Sequence, residues 1–456
     1  MSLEVVILAA GQGTRMRSSL PKVLHPLAGK PMVSHVVDTV RSLNATNIYL
    51  VIGHGAEQVQ TELAADDISF VEQLEQLGTG HAVTQALPKL SKNSQVLILY
   101  GDVPLIKAAT LEKLLAYATE TSLGLLTVKL DNPSGYGRII RDEQQKVAAI
   151  VEQKDANEQQ LAVQEINTGI LAVTSKQLNR WLPKLSNNNS QGEYYLTDII
   201  AMAYQEGTLI ETVQPITTAE VEGVNNRLQL AKLERVYQLE QADNLMTAGV
   251  SLADPARIDV RGKLSTARDV FIDVGCVFEG QVELAEGVEI GPYCVLKNAC
   301  LGPGVKLAAF THLEDVTLDG DNQVGPFARL RPGTHLETGA KIGNFVETKK
   351  TYVGNGAKIN HLSYIGDAQV GANANIGAGT ITCNYDGVNK HFTKIGAGAF
   401  IGSNSSLVAP IEIGAGATVG AGSTIRGNIK DQSLAVTRGK LSEIPNWPKP
   451  VKKQEN

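Results

Sequence analysis

Residues 376–402 read IGAGTITCNYDGVNKHFTKIGAGAFIG. The stretch opens and closes on one beat, an aliphatic residue followed by Gly and small residues: Ile376-Gly377 at the start, then Ile395-Gly396 and Ile401-Gly402. Between them Thr382–Lys394, TCNYDGVNKHFTK, keeps no beat and carries Cys, Asn, Tyr, Asp, His and Lys instead. A regular pattern therefore stops, admits a polar segment and resumes.

Outward from this stretch the beat is long. It runs from Ile272 through Phe278, Leu284, Ile290 and Leu296, then Leu301, Leu307, Leu313, Leu318, Val324, Leu330, Leu336 and Ile342. Thr348 holds the phase without a hydrophobe, and Val353, Ile359, Ile365 and Val370 lead to Ile376. After the break come Ile395, Ile401, Leu407, Ile413, Val419 and Ile425. A short fixed period signals a solenoid. Each hexapeptide is one short strand and one tight turn, and three make one coil of a triangular parallel β-helix. Its beat residues point inward and stack in columns, and Gly opens the sharp corners. This domain is expected over residues 250–438, with a tail over 439–456.

The N-terminal half has another rhythm. Apolar runs VVIL, NIYLVIG, QVLILYGD and LGLLTV alternate with helix-like PMVSHVVDTVRSL and TLEKLLAYATE. Alternating strands and helices imply a Rossmann-like α/β domain, a mostly parallel sheet covered on both faces, expected over residues 1–226. Ligands of such sheets sit at the carboxyl ends of the strands. The segment RLQLAKLERVYQLEQADNLMTAG, ending at Gly249, reads as a linker helix over 227–249, about 30 Å long at ~1.5 Å per residue.

Composition narrows the function. A chain of 456 residues exceeds one ordinary core. A 43% hydrophobic and 19% charged makeup is that of a soluble globular protein, and a net charge of −6 speaks against nucleic-acid or membrane-surface partners. The tail lysines Lys449, Lys452 and Lys453 read as a solvated end. Cys276, Cys294, Cys300 and Cys383 show no zinc spacing and are expected as free thiols of a reducing compartment. VVILAA is too short for a signal peptide, its basic residues follow it, and no run reaches membrane-spanning length. The expectation is a cytoplasmic protein.

The first strand runs into LAAGQGTRMRSSLPKVL. Gly11 and Gly13 allow backbone N–H groups to approach an anion, and Arg15 and Lys22 add charge suited to a triphosphate. No Gly-Lys-Ser/Thr closes a Walker A loop, and Met16 stands where a dinucleotide fingerprint has its third Gly. Taken alone, the Gly pair suits a plain tight turn equally well.

LAAGQGTRM with PKVL resembles the signature of sugar-1-phosphate nucleotidylyltransferases. EQLGTGHA, LYGDVPL, GYGRI, VEQKDA, EINTGI and VEGVNNRLQL follow in that family's order. With the hexapeptide half, the chain from about Val5 to Arg438 resembles the bacterial bifunctional N-acetylglucosamine-1-phosphate uridylyltransferase/glucosamine-1-phosphate N-acetyltransferases. The resemblance implies a left-handed β-helix, a homotrimer, and a product that serves peptidoglycan and lipopolysaccharide synthesis. It implies a UTP site of Leu8, Ala9, Gly11, Gly13, Arg15, Lys22, Gln73, Gln76, Gly78, Thr79, Tyr100 and Asp102. Within it Arg15 stabilises the leaving pyrophosphate, Lys22 holds the α-phosphate, and the amides read the pyrimidine edge. Asp102 and Asn225 are implied as ligands of Mg²⁺, which tolerates few protein oxygens and retains waters. Gly137, Glu152, Asn167 and Asn225 are implied to hold the sugar.

For the second activity the resemblance implies His361 as the base that frees the amine of glucosamine 1-phosphate, its ordinary pKa of about 6.5 suiting the task. Arg331, Lys349, Tyr364, Asn375 and Lys390 are implied to bind that sugar phosphate. Asn384, Tyr385, Ala378, Ser403, Ala421 and Arg438 are implied to face acetyl-coenzyme A. Ser363 stands where the family commonly has Thr. The residues leave two rivals open: a single nucleotidylyltransferase whose β-helix is structural or regulatory, and a non-catalytic scaffold of the same folds. The first gives no reason for His361, Asn384 and Lys390 to occur together. The second gives none for Arg15, Lys22 and Asp102.

Overall fold

The computed structural model describes residues 1–437, 439 and 441–448. Arg438 and the tail lysines lie outside the described residues. The chain divides into two compact units, Met1–Leu239 and Glu240–Asn456.

In the first unit the strand Ser2–Leu8 has every residue from Glu4 onward buried. Val5 and Ile7 enter one apolar cluster while Val6 and Leu8 enter another, so the strand is covered on both faces. That is the burial expected of a central parallel strand. The sheet runs in the order 209–213, 122–129, 165–174, 94–100, 2–8, 47–52, 68–72. All neighbours are parallel except Glu165–Thr174, which is antiparallel to both of its partners. The hairpin of Arg138–Arg141 with Val147–Val151 extends from that strand. The helix Met32–Ser42 buries Met32, Val33, Val36, Val37 and Val40, one stripe at helical spacing.

The strands at Leu8, Ile52 and Tyr100 end together. The amide of Ala9 donates to the Val51 carbonyl (2.8 Å), that of Gly101 to Leu8 (2.9 Å) and that of Gln73 to Ile52 (2.8 Å). The chain leaves four adjacent parallel strands, ending at Tyr100, Leu8, Ile52 and Glu72, at one end of the sheet, which brings the loop of Gly11 and Gly13, Gln73 and Asp102 to the same side.

The helix Arg227–Thr247 follows. Leu233 packs with Met16, Leu27 and Met32 of the first unit, and Ala242 and Leu245 pack into the core of the second.

The second unit is a parallel β-helix. Its eleven-stranded sheet stacks Ile272, Ile290, Leu307, Val324, Ile342, Ile359, Ile376, Ile401 and Val419 rung on rung. Its thirteen-stranded sheet carries the remaining beats, and many of its strands hold two. Val295–Leu301, for example, bends at left-handed Asn298 (φ 48°) between inward Leu296 and Leu301. Every aliphatic beat residue is buried. The Gly after the beat is required where coils touch: a Cβ on Gly343 would lie 1.9 Å from the Asn360 carbonyl oxygen.

The structure shortens the break inferred from sequence. Thr382 is buried, keeps the beat and pairs with Leu407 in the column. Its hydroxyl oxygen accepts from the Gly366 amide at 2.8 Å. Thr393 and Lys394 already belong to the next strand. A threonine holds an inward position when backbone groups satisfy its hydroxyl, which is why hydrophobicity alone missed it. Thr348 is buried likewise, its hydroxyl 3.0 Å from that of Thr334.

All four cysteines are free thiols. Burial pushes Cys276 up to about 11 and Cys294 up to about 12. Both should resist a thiol reagent at pH 8 until the β-helix unfolds, while Cys300 and Cys383 label first; mass spectrometry of partly labelled protein checks the order. Ile342 is fully enclosed in its column, so Ile342→Ala should cost about 2–5 kcal/mol. Urea unfolding measures it, and a loss below about 1 kcal/mol contradicts the column packing.

Candidate functional site

At the strand ends of the first unit lie two cavities with a common wall. One, of about 310 Å³, is lined by Leu8, Ala9, Gly11, Lys22, Gln73, Gln76, Gly78, Thr79, Tyr100 and Asp102, with Val23 and Glu193 among the others. The second, of about 370 Å³, is lined by Arg15, Tyr100, Asp102, Gly137, Glu152, Asn167 and Asn225, with Tyr136, Gly169 and Gln229 among the others. Tyr100 and Asp102 belong to both. Of the residues expected around the nucleotide, ten line the first cavity and Arg15 lines the second. Gly13 lines neither, but its left-handed turn (φ 62°) brings it against the stem of Lys22, where an added Cβ would sit 2.7 Å away. All four residues expected around the sugar line the second cavity.

The seam between the cavities is charged. The ammonium of Lys22 donates to Asp102 Oδ2 and, at 3.3 Å, to Asn225 Oδ1. Arg15 Nη2 donates to the same Asn225 oxygen at 2.9 Å. Asn225 itself is set by its backbone amide, which donates to Gln229 Oε1 at 2.8 Å. The amide of Val224 donates to the Asp102 carbonyl (2.9 Å) and ties the two segments together.

In the first cavity Gln73 is buried, its Nε2 3.2 Å from the Gly78 carbonyl and 3.1 Å from His81 Nδ1. In the second, Gly169 (φ 82°) lets the Tyr100 ring lie where a Cβ would be 2.4 Å from it. The Glu152 carboxyl accepts from Thr197 Oγ1 at 3.3 Å. Burial pushes Glu152 above the usual carboxylate range, and the neighbouring acids Asp155, Asp198 and Glu193 add to the shift against that hydrogen bond. Sequence reasoning did not assign Tyr136, Gly169 or Gln229. All three lie inside quoted motifs, so the signal was present.

In the second unit the expected acetyl-site residues divide between the sheets. His361 and Asn375 lie on strands of the eleven-stranded sheet. Lys349 and Tyr364 lie on the thirteen-stranded one, where the Arg331 amide donates to the Thr348 carbonyl at 2.9 Å. Lys349 pairs in register with Gly366, and the missing side chain there is occupied by the Tyr364 hydroxyl, 2.4 Å from where a Cβ would be. Arg331 Nη1 also donates to Glu347 Oε1 at 2.7 Å.

His361 is exposed and its Nδ1 lies 2.7 Å from Asn344 Oδ1. An amide oxygen only accepts, so in the neutral ring it is Nδ1 that carries the hydrogen and Nε2 that has the lone pair. Asn344 was missed in the sequence, although it stands one coil below His361 in the same register.

Past Cys383 the polar segment folds into a compact hairpin. Asn384 is buried and its Nδ2 donates to Asp367 Oδ2 (2.5 Å) at a corner of the coil, and its carbonyl accepts from the His391 amide (2.8 Å). Tyr385 bridges to Lys390, whose ammonium stands 4.1 Å over the tyrosine ring. Asp386 accepts from the Asn389 and Val388 amides and from His391, which holds its carboxyl well below the usual range. Ala378 and Ser403 occupy equivalent corner positions after Ile376 and Ile401, and Ala421 follows Gly420 one coil on.

Residues 5–178 match the MobA-like NTP transferase domain, and residues 392–427 match the bacterial transferase hexapeptide. The chain is 60% identical over 450 residues to the bifunctional protein GlmU of Marinobacter nauticus, covering 99% of each chain. It is 60% identical to that of Cellvibrio japonicus, covering 99% of this chain and 100% of the relative. It is 59% identical to that of Idiomarina loihiensis over the whole of both. The chain belongs to the bifunctional GlmU family. It is accordingly a two-activity enzyme of UDP-N-acetylglucosamine synthesis, an acetyltransferase and a uridylyltransferase. Each of the two matched domains falls within a different compact unit.

Glu152 gives a pH test of the second cavity. A carboxyl raised by burial stabilises the fold below its unfolded value and loses that contribution as pH rises through its folded value. Glu152→Gln should therefore gain melting temperature relative to wild type as pH rises from about 4.5, the ordinary Glu value, to 7. Calorimetry at several pH values measures the difference; a difference independent of pH contradicts the burial shift.

Proposed function

We propose a division of labour among these residues. UTP occupies the cavity of Gln73, Gln76, Gly78 and Thr79, and N-acetylglucosamine 1-phosphate occupies that of Gly137, Glu152, Asn167 and Asn225. A phosphate oxygen of the sugar attacks the α-phosphorus of UTP, the bond to the bridging oxygen of the β-phosphate breaks, and pyrophosphate leaves. The observation that carries this reading is the common wall: two cavities meet at Asp102, with Lys22, Arg15 and Asn225 gathered at the seam. Two anions must approach there, so positioning and charge neutralisation carry the catalysis. Lys22 and Arg15 supply the cations, and Glu152 and Asn167 orient the sugar.

The Asp102 and Asn225 oxygens suit Mg²⁺. They already converge on one cation, the Lys22 ammonium, and one carboxylate with one amide oxygen leaves positions for water and phosphate oxygens. When bound, the metal neutralises phosphate charge.

In the second unit His361 Nε2 takes a proton from the amine of glucosamine 1-phosphate. The amine attacks the thioester carbonyl of acetyl-coenzyme A, the C–S bond breaks, and the thiol leaves carrying a proton. Arg331, Lys349 and Lys390 face the sugar phosphate, and Asn384 and Tyr385 line the path of the acetyl group. The working form is a homotrimer in the cytoplasm, and its acetyl sites draw on more than one chain. Two features support this. The residues of the site are divided between two sheets of one solenoid. An exposed ladder of Tyr293, Phe310, Phe327 and Phe345, stacked at 4.9–5.3 Å, runs up one corner to Leu362 beside His361 and suits cover by a neighbour.

Asp102→Ala should lower uridylyl transfer by about 10²–10³-fold and spare acetyl transfer. His361→Ala should lower acetyl transfer by about 10²–10⁴-fold and spare uridylyl transfer. Separate assays of each step decide it, and a folded variant that loses both activities overturns the division. Co-refolding His361→Ala with Asn384→Ala chains should restore part of the acetyl transfer in mixed trimers. A mixed trimer without recovery overturns the shared site.

A further inference from the structure

Lys22 has a second consequence, which rests on the magnesium reading above. Its ammonium sits on the two oxygens assigned to the metal, Asp102 Oδ2 and Asn225 Oδ1, while Arg15 holds the same Asn225 oxygen. The Lys22 and Asp102 side chains are only 15% and 16% exposed, so solvent screens this contact weakly. Asp102 contributes one negative charge, and Lys22 and Arg15 contribute two positive ones. A bare divalent cation entering there meets three groups that sum to one positive charge, with Asp102 Oδ2 and Asn225 Oδ1 already engaged. Among the described residues no cluster of three or more His, Cys, Asp or Glu offers a metal cage, so the protein cannot complete a shell unaided.

We propose that Lys22 is a resident counter-ion that closes the Asp102–Asn225 pair to divalent metal until a nucleoside triphosphate draws Lys22 and Arg15 onto its phosphates. The triphosphate then does two things. It removes the cation occupying the oxygens, and it supplies the phosphate oxygens that the site lacks. Metal and nucleotide enter as one complex, and by linkage each tightens the other's binding. The device protects the seam as well: without substrate, the Asp102 carboxylate keeps a partner instead of standing partly buried and unpaired.

The probe is Mn²⁺ alone, titrated into the full-length chain and followed by the electron paramagnetic resonance of free Mn²⁺. Nucleotide-free wild type should bind weakly. Lys22→Met, which retains the length of the side chain and drops its charge, should bind at least about tenfold more tightly, an opening of about 1.4 kcal/mol. Lys22→Arg should behave as wild type, and adding Asp102→Asn to Lys22→Met should abolish the new site. Equal affinity in wild type and Lys22→Met overturns the proposal. A measurement that needs no Lys22 variant is water-proton relaxation of wild type with Mn²⁺, with and without UTP. Protein-bound Mn²⁺ should appear only with UTP. Binding as tight without the nucleotide overturns the counter-ion role and leaves the metal ligands standing. Ternary binding that is absent, or unchanged by Asp102→Asn, overturns the magnesium assignment itself.

Discussion

Each coil of the second unit must set its inward residue on the one below, because a parallel β-helix has no other core. Ile342 rests between Val324 and Ile359, and a gap or a shift of one residue would turn a whole side outward. The constraint explains several features at once. Backbones approach so closely that Gly343 admits no side chain. Polar residues enter the columns only where neighbours satisfy them, as at Thr348 and Thr382. Extra sequence is tolerated only if the chain leaves and returns in register. The hairpin around Tyr385 does so, rising between Thr382 and Thr393 while the column continues through Ile395.

The same logic governs the first unit. Its central strands are buried on both faces and mostly apolar along their length. The chemistry collects where they end. Leu8 hands over to the loop of Gly11 and Gly13, Tyr100 to Asp102, and the hydrogen bonds between neighbouring strand ends set these turns side by side. A rigid parallel scaffold with polar groups confined to its ends or corners is common to both units, and it suits reactions whose demand is placement of charged substrates.

Much of this was legible in the residues. A six-residue beat admits one reading, since its hydrophobes are identical in role and each confirms the next; every aliphatic position expected to point inward does so. That Asp102 and Lys22 line one cavity was legible because motifs carried them. The edge of the break was not, because Thr382 is inward by virtue of a hydrogen bond to Gly366 and not by hydrophobicity. Asn344 was not, because it acts on His361 across coils, and that neighbour appears only when the register is known. The raised carboxyl of Glu152 depends on burial among Asp155, Asp198 and Glu193, a juxtaposition of segments that no local pattern announces.

The central claim is that one chain holds two transferases that act in sequence on an amino-sugar phosphate. The most direct measurement supplies the purified chain with glucosamine 1-phosphate, acetyl-coenzyme A, UTP and Mg²⁺, and follows free coenzyme A, pyrophosphate and UDP-N-acetylglucosamine together. The account predicts that all three accumulate to equal final amounts, and that omitting acetyl-coenzyme A stops pyrophosphate as well as acetyl transfer. Release of coenzyme A without pyrophosphate, or of pyrophosphate from unacetylated sugar at the full rate, would contradict it.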